Sequence, residues 1–194
     1  MDREAREYWQ SQRKKMLSRD RRQRGGFSQD LLMTKILIGL MVLSYVVERF
    51  APGLLARVSF GPLGLVVTGV LSALSPGTFL GLIFAGVFLW IIGSQLEGLT
   101  RWWQYLLIFF LSGLVGSLIA SVLGAGFIGG TFASFGMAGA YVMAMANRRV
   151  GGMAQWAILL LAINVVLSGF QPGLLGGMLG AFFAGVLIAR LARI

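Results

Sequence analysis

Residues 72–120 read SALSPGTFLGLIFAGVFLWIIGSQLEGLTRWWQYLLIFFLSGLVGSLIA, and Glu97 and Arg101 are the only charges in them. Two apolar runs, Phe79–Leu96 and Trp102–Leu123, flank the short turn that holds those charges. Each run is close to the ~20 residues that a helix needs to cross ~30 Å of hydrocarbon. Similar runs occur near Leu31–Val47, Gly130–Ala146, Met153–Phe170 and Leu174–Leu191. The expected fold class is therefore an all-α membrane protein with six transmembrane helices. A basic tail (1–28) precedes the membrane domain (29–194), and residues 48–78 form a loop between the first two spans.

Composition leads to the same class. The chain is 57% hydrophobic and 12% charged, with a mean hydropathy of +0.79. A soluble domain of 194 residues would have more apolar side chains than it could bury. Twenty-eight glycines against four prolines suit helices that approach closely through small residues, since lipid offers no hydrophobic force between them. The chain has no histidine and no cysteine. That excludes disulfides and thiolate catalysis, and it removes the commonest general base and metal ligand. No metal and no cofactor are expected.

Charge sets the orientation. With six spans and a cytoplasmic N-terminus, Arg101, Arg148, Arg149, Arg190 and Arg193 fall inside, and only Arg49 and Arg57 fall outside. A further candidate, Val58–Leu74, is broken by Gly61, Pro62, Gly64 and Gly69. If it crossed, all five arginines would move outside, against the positive-inside rule. Both termini are thus expected in the cytoplasm, with 48–78 on the outer side. Residues 1–25 carry nine Lys/Arg against four acids, half of the net charge of +10. In this tail Arg13, Lys14, Lys15, Arg21, Arg22 and Arg24 are expected to lie against anionic lipid heads. The tail lacks the spaced aromatics of a nucleic-acid binder, so no nucleic-acid partner is expected. Zero cysteines, short loops and this span count point to a bacterial plasma membrane.

Few polar groups lie inside the spans. Ser112, Ser117, Thr131 and Ser134 are expected to donate back to a carbonyl one turn earlier. Asn164 must find a partner across a helix contact. Lys35 is placed to snorkel to the cytoplasmic interface. Ion or proton pathways normally carry charges within the membrane, so a transporter is the weaker alternative.

Two stretches, Ser72–Ala120 and Gly129–Tyr141 (GGTFASFGMAGAY), resemble the rhomboid family of intramembrane serine proteases. Gly93-Ser94-Gln95-Leu96-Glu97 is similar to the Gly-x-x-hydrophobic-Glu turn that ends the family's second span. Leu111–Gly116 is similar to the small-residue stretch of its third, and Leu174–Gly180 (LLGGMLG) to its His-x-Gly-Gly helix. The resemblance covers about 120 residues and implies a compact six-span fold. It also implies where catalytic groups would sit, and each such position is altered. Thr131 falls at the nucleophilic serine and Phe132 at the glycine after it. The histidine base falls on Leu174, or on Gly177 if the register shifts. The oxyanion-binding histidine and asparagine fall on Gly81 and Ala85, which offer no side-chain donor. A hydroxyl without a base loses on the order of 10⁴- to 10⁶-fold in rate.

The resemblance therefore implies a pseudoprotease rather than an enzyme, binding the transmembrane helices of another membrane protein as a scaffold or complex subunit. A divergent protease using Thr131 is the enzymatic alternative. Close helix packing is expected at Gly113, Gly116, Gly136, Gly139, Ala140, Gly176, Gly177 and Gly180. In particular, Gly136/Ala140 of the fourth span and Gly176/Gly180 of the sixth are expected to face one another.

Overall fold

The computed structural model describes residues 31–50, 70–71, 73–125, 129–148, 155, 158–159, 162 and 171–194, and every described element is helical. The basic tail, most of Val58–Leu74, Asn164 and most of Met153–Phe170 lie outside the described residues. The helices are α1 (Leu32–Phe50), α2 (Phe79–Glu97), α3 (Trp102–Val122), α4 (Gly129–Asn147) and α5 (Pro172–Leu191).

Local chemistry explains most helix ends. Gly77 turns the chain at φ 71°, and the Thr78 hydroxyl then accepts the Gly81 N–H at 3.0 Å, capping α2. Pro172 begins α5 with the ring geometry of a first helical residue. At the end of α3, Gly124 takes φ 80°, its N–H donates to Ser121 O, and Ala125 N–H reaches Ala120 O. That pair of bonds closes a Schellman turn, which only a residue at home with positive φ makes without strain. Within α2, Leu89–Gly93 forms a π-helical turn, with Ser94 N–H donating to Leu89 O. The extra residue rotates everything after it about the helix axis.

Three of these helices, α2, α3 and α5, are long and apolar enough to cross a membrane. Only 33%, 44% and 28% of their most apolar stretches are buried, so most of their outward surface is hydrocarbon. Exposed Val87, Leu111, Leu118, Phe183 and Leu187 form a surface suited to lipid rather than water. By contrast, α4 is rich in glycine and alanine, and 13 of its 19 residues are buried. It needs little apolarity of its own, because its neighbours supply its surroundings.

Contacts along the helices give their directions. Between α1 and α2, Thr34 meets Glu97 while Tyr45 and Phe79 stack at 6.2 Å near the opposite ends, so the pair is antiparallel. Contacts between α2 and α4 run in step: Gly81 to Thr131, Phe88 to Phe135 (5.5 Å between ring centres), and Gln95 to Tyr141, whose hydroxyl donates to the Gln95 side chain. α5 is also parallel to α4, from Gly177 beside Phe132 to Ile194, whose carbonyl accepts from Asn147. α3 opposes both, with Gly116 at Phe132 and Ser112 at Gly136, while Gln104 reaches Ala192 and Leu123 reaches Gly173. The bundle thus has a Glu97 end and a Thr131 end.

Backbone contact between α4 and α5 occurs where side chains are missing. A carbon added at Gly139 would collide with Phe182 O, and one added at Gly185 with Gly136 O. The expectation for the glycine pair of α5 needs correcting. Gly176 and Gly180 face Leu123 and Ile119 of α3, while Gly177, Ala181, Phe182 and Gly185 meet α4. The reason is angular: Gly176 and Gly177 are ~100° apart around the helix, so a one-residue offset selects a different neighbour. Ala140 is fully buried in the larger apolar cluster, with Met137, Tyr141 and Ala144.

At the Glu97 end, the carboxylate joins two helices. Glu97 Oε1 accepts Met33 N–H at 2.9 Å, and Oε2 accepts Thr34 N–H at 2.9 Å and the Thr34 hydroxyl at 2.6 Å. Thr34 Oγ1 is also 2.7 Å from the Tyr105 hydroxyl of α3. The carboxylate satisfies backbone donors that the first turn of α1 leaves without a partner, and its charge suits that helix end.

Four substitutions test these contacts by thermal unfolding in detergent. Gly139→Ala is expected to destabilise by about 1–3 kcal/mol, because a backbone carbonyl cannot move aside. Gly86→Ala, where nothing lies within 4 Å, is expected to be neutral or to stabilise by up to ~1 kcal/mol. Glu97→Leu is expected to cost about 1.5–3 kcal/mol, with Glu97→Gln, which keeps one acceptor oxygen, costing less.

Candidate functional site

The six positions singled out by the family resemblance lie at the Thr131 end in two groups, Thr131 with Gly81 and Ala85, and Phe132 with Leu174 and Gly177. The N-terminus of α4 is held there by the turn before α2, where Gly130 N–H donates to Ser75 O at 2.8 Å. Pro76 in that turn is fully buried, as is Ala73 just before it. A carbon added at Gly130 would lie 2.8 Å from Ser75 O and 2.9 Å from Met41 Cε. Thr131 therefore starts α4 from a rigid seat.

Thr131 and Ala85 share a small cavity with Phe84, Phe88, Ser134 and Phe135. Its volume is about 10 Å³, at the lower limit of room for one water. Gly81 borders the same place: a carbon added there would lie 3.4 Å from Thr131 Oγ1 and 3.1 Å from Thr78 Oγ1. The walls are four apolar side chains and two hydroxyls. Ser134 Oγ donates to Gly130 O at 3.0 Å, the back-bond expected of it. Ser112 does the same, to Ile108 O at 2.6 Å. Ser117 does not follow: its buried hydroxyl, like that of Ser44, has no hydrogen-bond partner among the described residues.

Phe132 points the other way, into α3 and α5. Its ring carbons Cε1 and Cζ lie 2.7 Å from where a Gly177 side chain would begin, and its Cβ lies 2.7 Å from the same point at Gly116. Ala120, Phe135, Met178 and Ala181 complete a fully or nearly buried cluster around it, with Leu174 packed at its edge. A benzyl group thus fills the space that two glycines leave open. Any larger side chain at position 177 would have to displace it.

None of the side chains lining the cavity can take a proton from Thr131 at neutral pH. The described carboxylates are Glu48, near the far end of α1, and Glu97, whose oxygens are both engaged at the opposite end. Lys35 is exposed beside Thr34, also at the Glu97 end, on the order of 20 Å along the helix axes from Thr131. Among the described residues no three His, Cys, Asp or Glu side chains stand close enough to share a metal ion. The arrangement can pack and can offer hydroxyls, but it supplies no base.

The glycines expected at close contacts all lie at them. Gly113 meets Ala133 (2.9 Å to an added carbon), Gly136 meets Ser112, and Gly116 meets Gly177 O at 2.8 Å and Ala181 Cβ at 2.9 Å. Sequence reasoning missed the Thr34–Glu97–Tyr105 group and the Gln95–Tyr141 bond. The hydrogen-bonded partners lie 46 to 71 residues apart, so no local spacing could reveal them.

The Phe132–Gly177 fit can be measured as a pair. Phe132→Ala is expected to cost about 3–5 kcal/mol through the cavity it leaves. Gly177→Ala in the native background is expected to destabilise by clash, and much less so when combined with Phe132→Leu. A double-mutant cycle in detergent unfolding should show this non-additivity.

No protein-family model, curated protein or solved structure matches the chain.

Proposed function

We propose that this chain is a non-catalytic, rhomboid-like membrane protein that binds a transmembrane helix of a partner, as a scaffold or as a subunit of a larger membrane complex. One observation carries the reading: the residues at the positions of nucleophile, base and oxyanion donors gather at one end of the bundle, yet they make a packed joint. Thr131 has no base, Gly81 and Ala85 offer no donor, and Phe132 occupies the space beside Gly177.

Helix directions support six crossings. α4 and α5 are parallel, and a return crossing between Arg148 and Gln171 would join them in chain order. Gln155, Ile158, Leu159 and Ala162 of that segment are helical and exposed. Such a crossing, with α1 to α5, is what the six-pass reading rests on. The exposed cations at the helix ends, apart from Arg49, lie at the Glu97 end, which the positive-inside rule assigns to the cytoplasm. A bacterial plasma membrane fits the short loops and the absence of cysteine.

What a helix-binding role requires is present: a lipid-facing apolar surface, small residues that let backbones approach, and a few hydroxyls able to bond across helices. Purification of the full chain from native membranes in mild detergent is expected to yield a membrane protein at fixed stoichiometry. A monodisperse chain with no companion would overturn the reading. Cleavage of a transmembrane substrate that is lost in Thr131→Ala would instead establish the protease.

A further inference from the structure

The described cations form a rim at one end of the bundle. Lys35 on α1, Arg101 before α3, Arg148 after α4, and Arg190 and Arg193 at the end of α5 are all exposed. The only described acid at that end is Glu97, whose oxygens are taken by Met33 and Thr34. At the Thr131 end the described charges are Glu48 and Arg49, adjacent in sequence and cancelling.

Side-chain amides bring together the backbone segments that carry three of the arginines. Gln104 accepts Arg101 N–H at 2.9 Å through Oε1 and donates through Nε2 to Ala192 O at 3.3 Å. Asn147 donates to Ile194 O at 2.7 Å. The last turn of α5 is thus tied to the start of α3 on one side and to the end of α4 on the other. It is closed by Ile194 N–H donating to Ala189 O, with Arg193 at φ 53°, a backbone that most residues avoid. Arg101, Arg193 and Arg148 are set around one polar junction of three helix ends. Trp102 and Trp103, 64% and 43% exposed, stand beside Arg101 at the level where indole rings favour the lipid interface.

We propose that this junction of Arg101, Arg148 and Arg193 is a binding site for the phosphodiester headgroup of an anionic glycerophospholipid, built into the folded bundle and independent of the basic tail. Guanidinium forks suit phosphate oxygens, and the neighbouring tryptophans suit the glycerol region above the acyl chains. The site rests on the membrane reading but not on the partner-helix proposal, so each can fail alone.

Native mass spectrometry of the full chain with added phosphatidylglycerol, phosphatidylcholine or soluble glycerol phosphate tests it. Phosphatidylglycerol is expected to be retained in preference to phosphatidylcholine, and glycerol phosphate is not expected to displace it. Arg101→Gln/Arg148→Gln/Arg193→Gln is expected to lower phosphatidylglycerol retention about fivefold per arginine removed, the scale on which one basic residue acts near an anionic surface. Arg13→Gln/Lys14→Gln/Lys15→Gln is expected to leave most of it. If the core triple variant does not fold, loss of the native chain's lipid preference at high ionic strength serves as the second readout. Equal retention of the two lipids, a tail variant as damaging as the core variant, a preference indifferent to salt, or displacement by glycerol phosphate would each overturn the assignment.

Discussion

Everything in this bundle depends on α4 being able to touch α3 and α5 without side chains between the backbones. Gly136 and Gly139 bring α4 against the carbonyl edge of α5, and Gly113 and Gly116 bring α3 against Ala133 and Phe132. In a membrane this closeness is the main source of cohesion, since burying apolar surface away from lipid gains little. The helix at the centre is accordingly built of small residues and is the most buried. The helices around it carry the hydrocarbon that meets the bilayer.

The two ends of the bundle are held by different physics. At the Glu97 end the joint is polar: a carboxylate on the first turn of α1, a hydroxyl shared with Tyr105, and amide side chains binding α3 and α4 to the end of α5. At the Thr131 end the joint is steric: a buried turn seated on α4, and Phe132 filling the space beside Gly116 and Gly177. A cavity of about 10 Å³ lies between Ala85 and Thr131, walled by Phe84, Phe88 and Phe135.

Much of the framework was legible along the chain. Apolar length located α2, α3 and α5. Glycine content foretold close packing, and Gly113, Gly116, Gly136 and Gly139 do lie at contacts. The partner of each glycine was not legible. Gly176 and Gly180 look like a contact motif for α4, yet they face α3, since one residue of offset turns a helical position through ~100°. Back-bonding of Ser112 and Ser134 follows from helix geometry alone, whereas the orphan hydroxyl of Ser117 depends on what stands opposite.

By itself the sequence determined the solvent and the chemistry available. Long uncharged runs require lipid around them, and a chain without histidine or cysteine has neither imidazole nor thiolate to use. Those are properties of composition and of spacing within one helix, so they need no knowledge of neighbours. Only the tertiary structure decided that Glu97 meets α1, that Phe132 lies on Gly177, and that Arg101, Arg148 and Arg193 surround one junction. These residues are distant along the chain, and the π-helical turn at Leu89–Gly93 further rotates the end of α2 relative to any regular helical reading. Which faces meet is set by the packing of whole helices, and that is a property no single stretch of sequence contains.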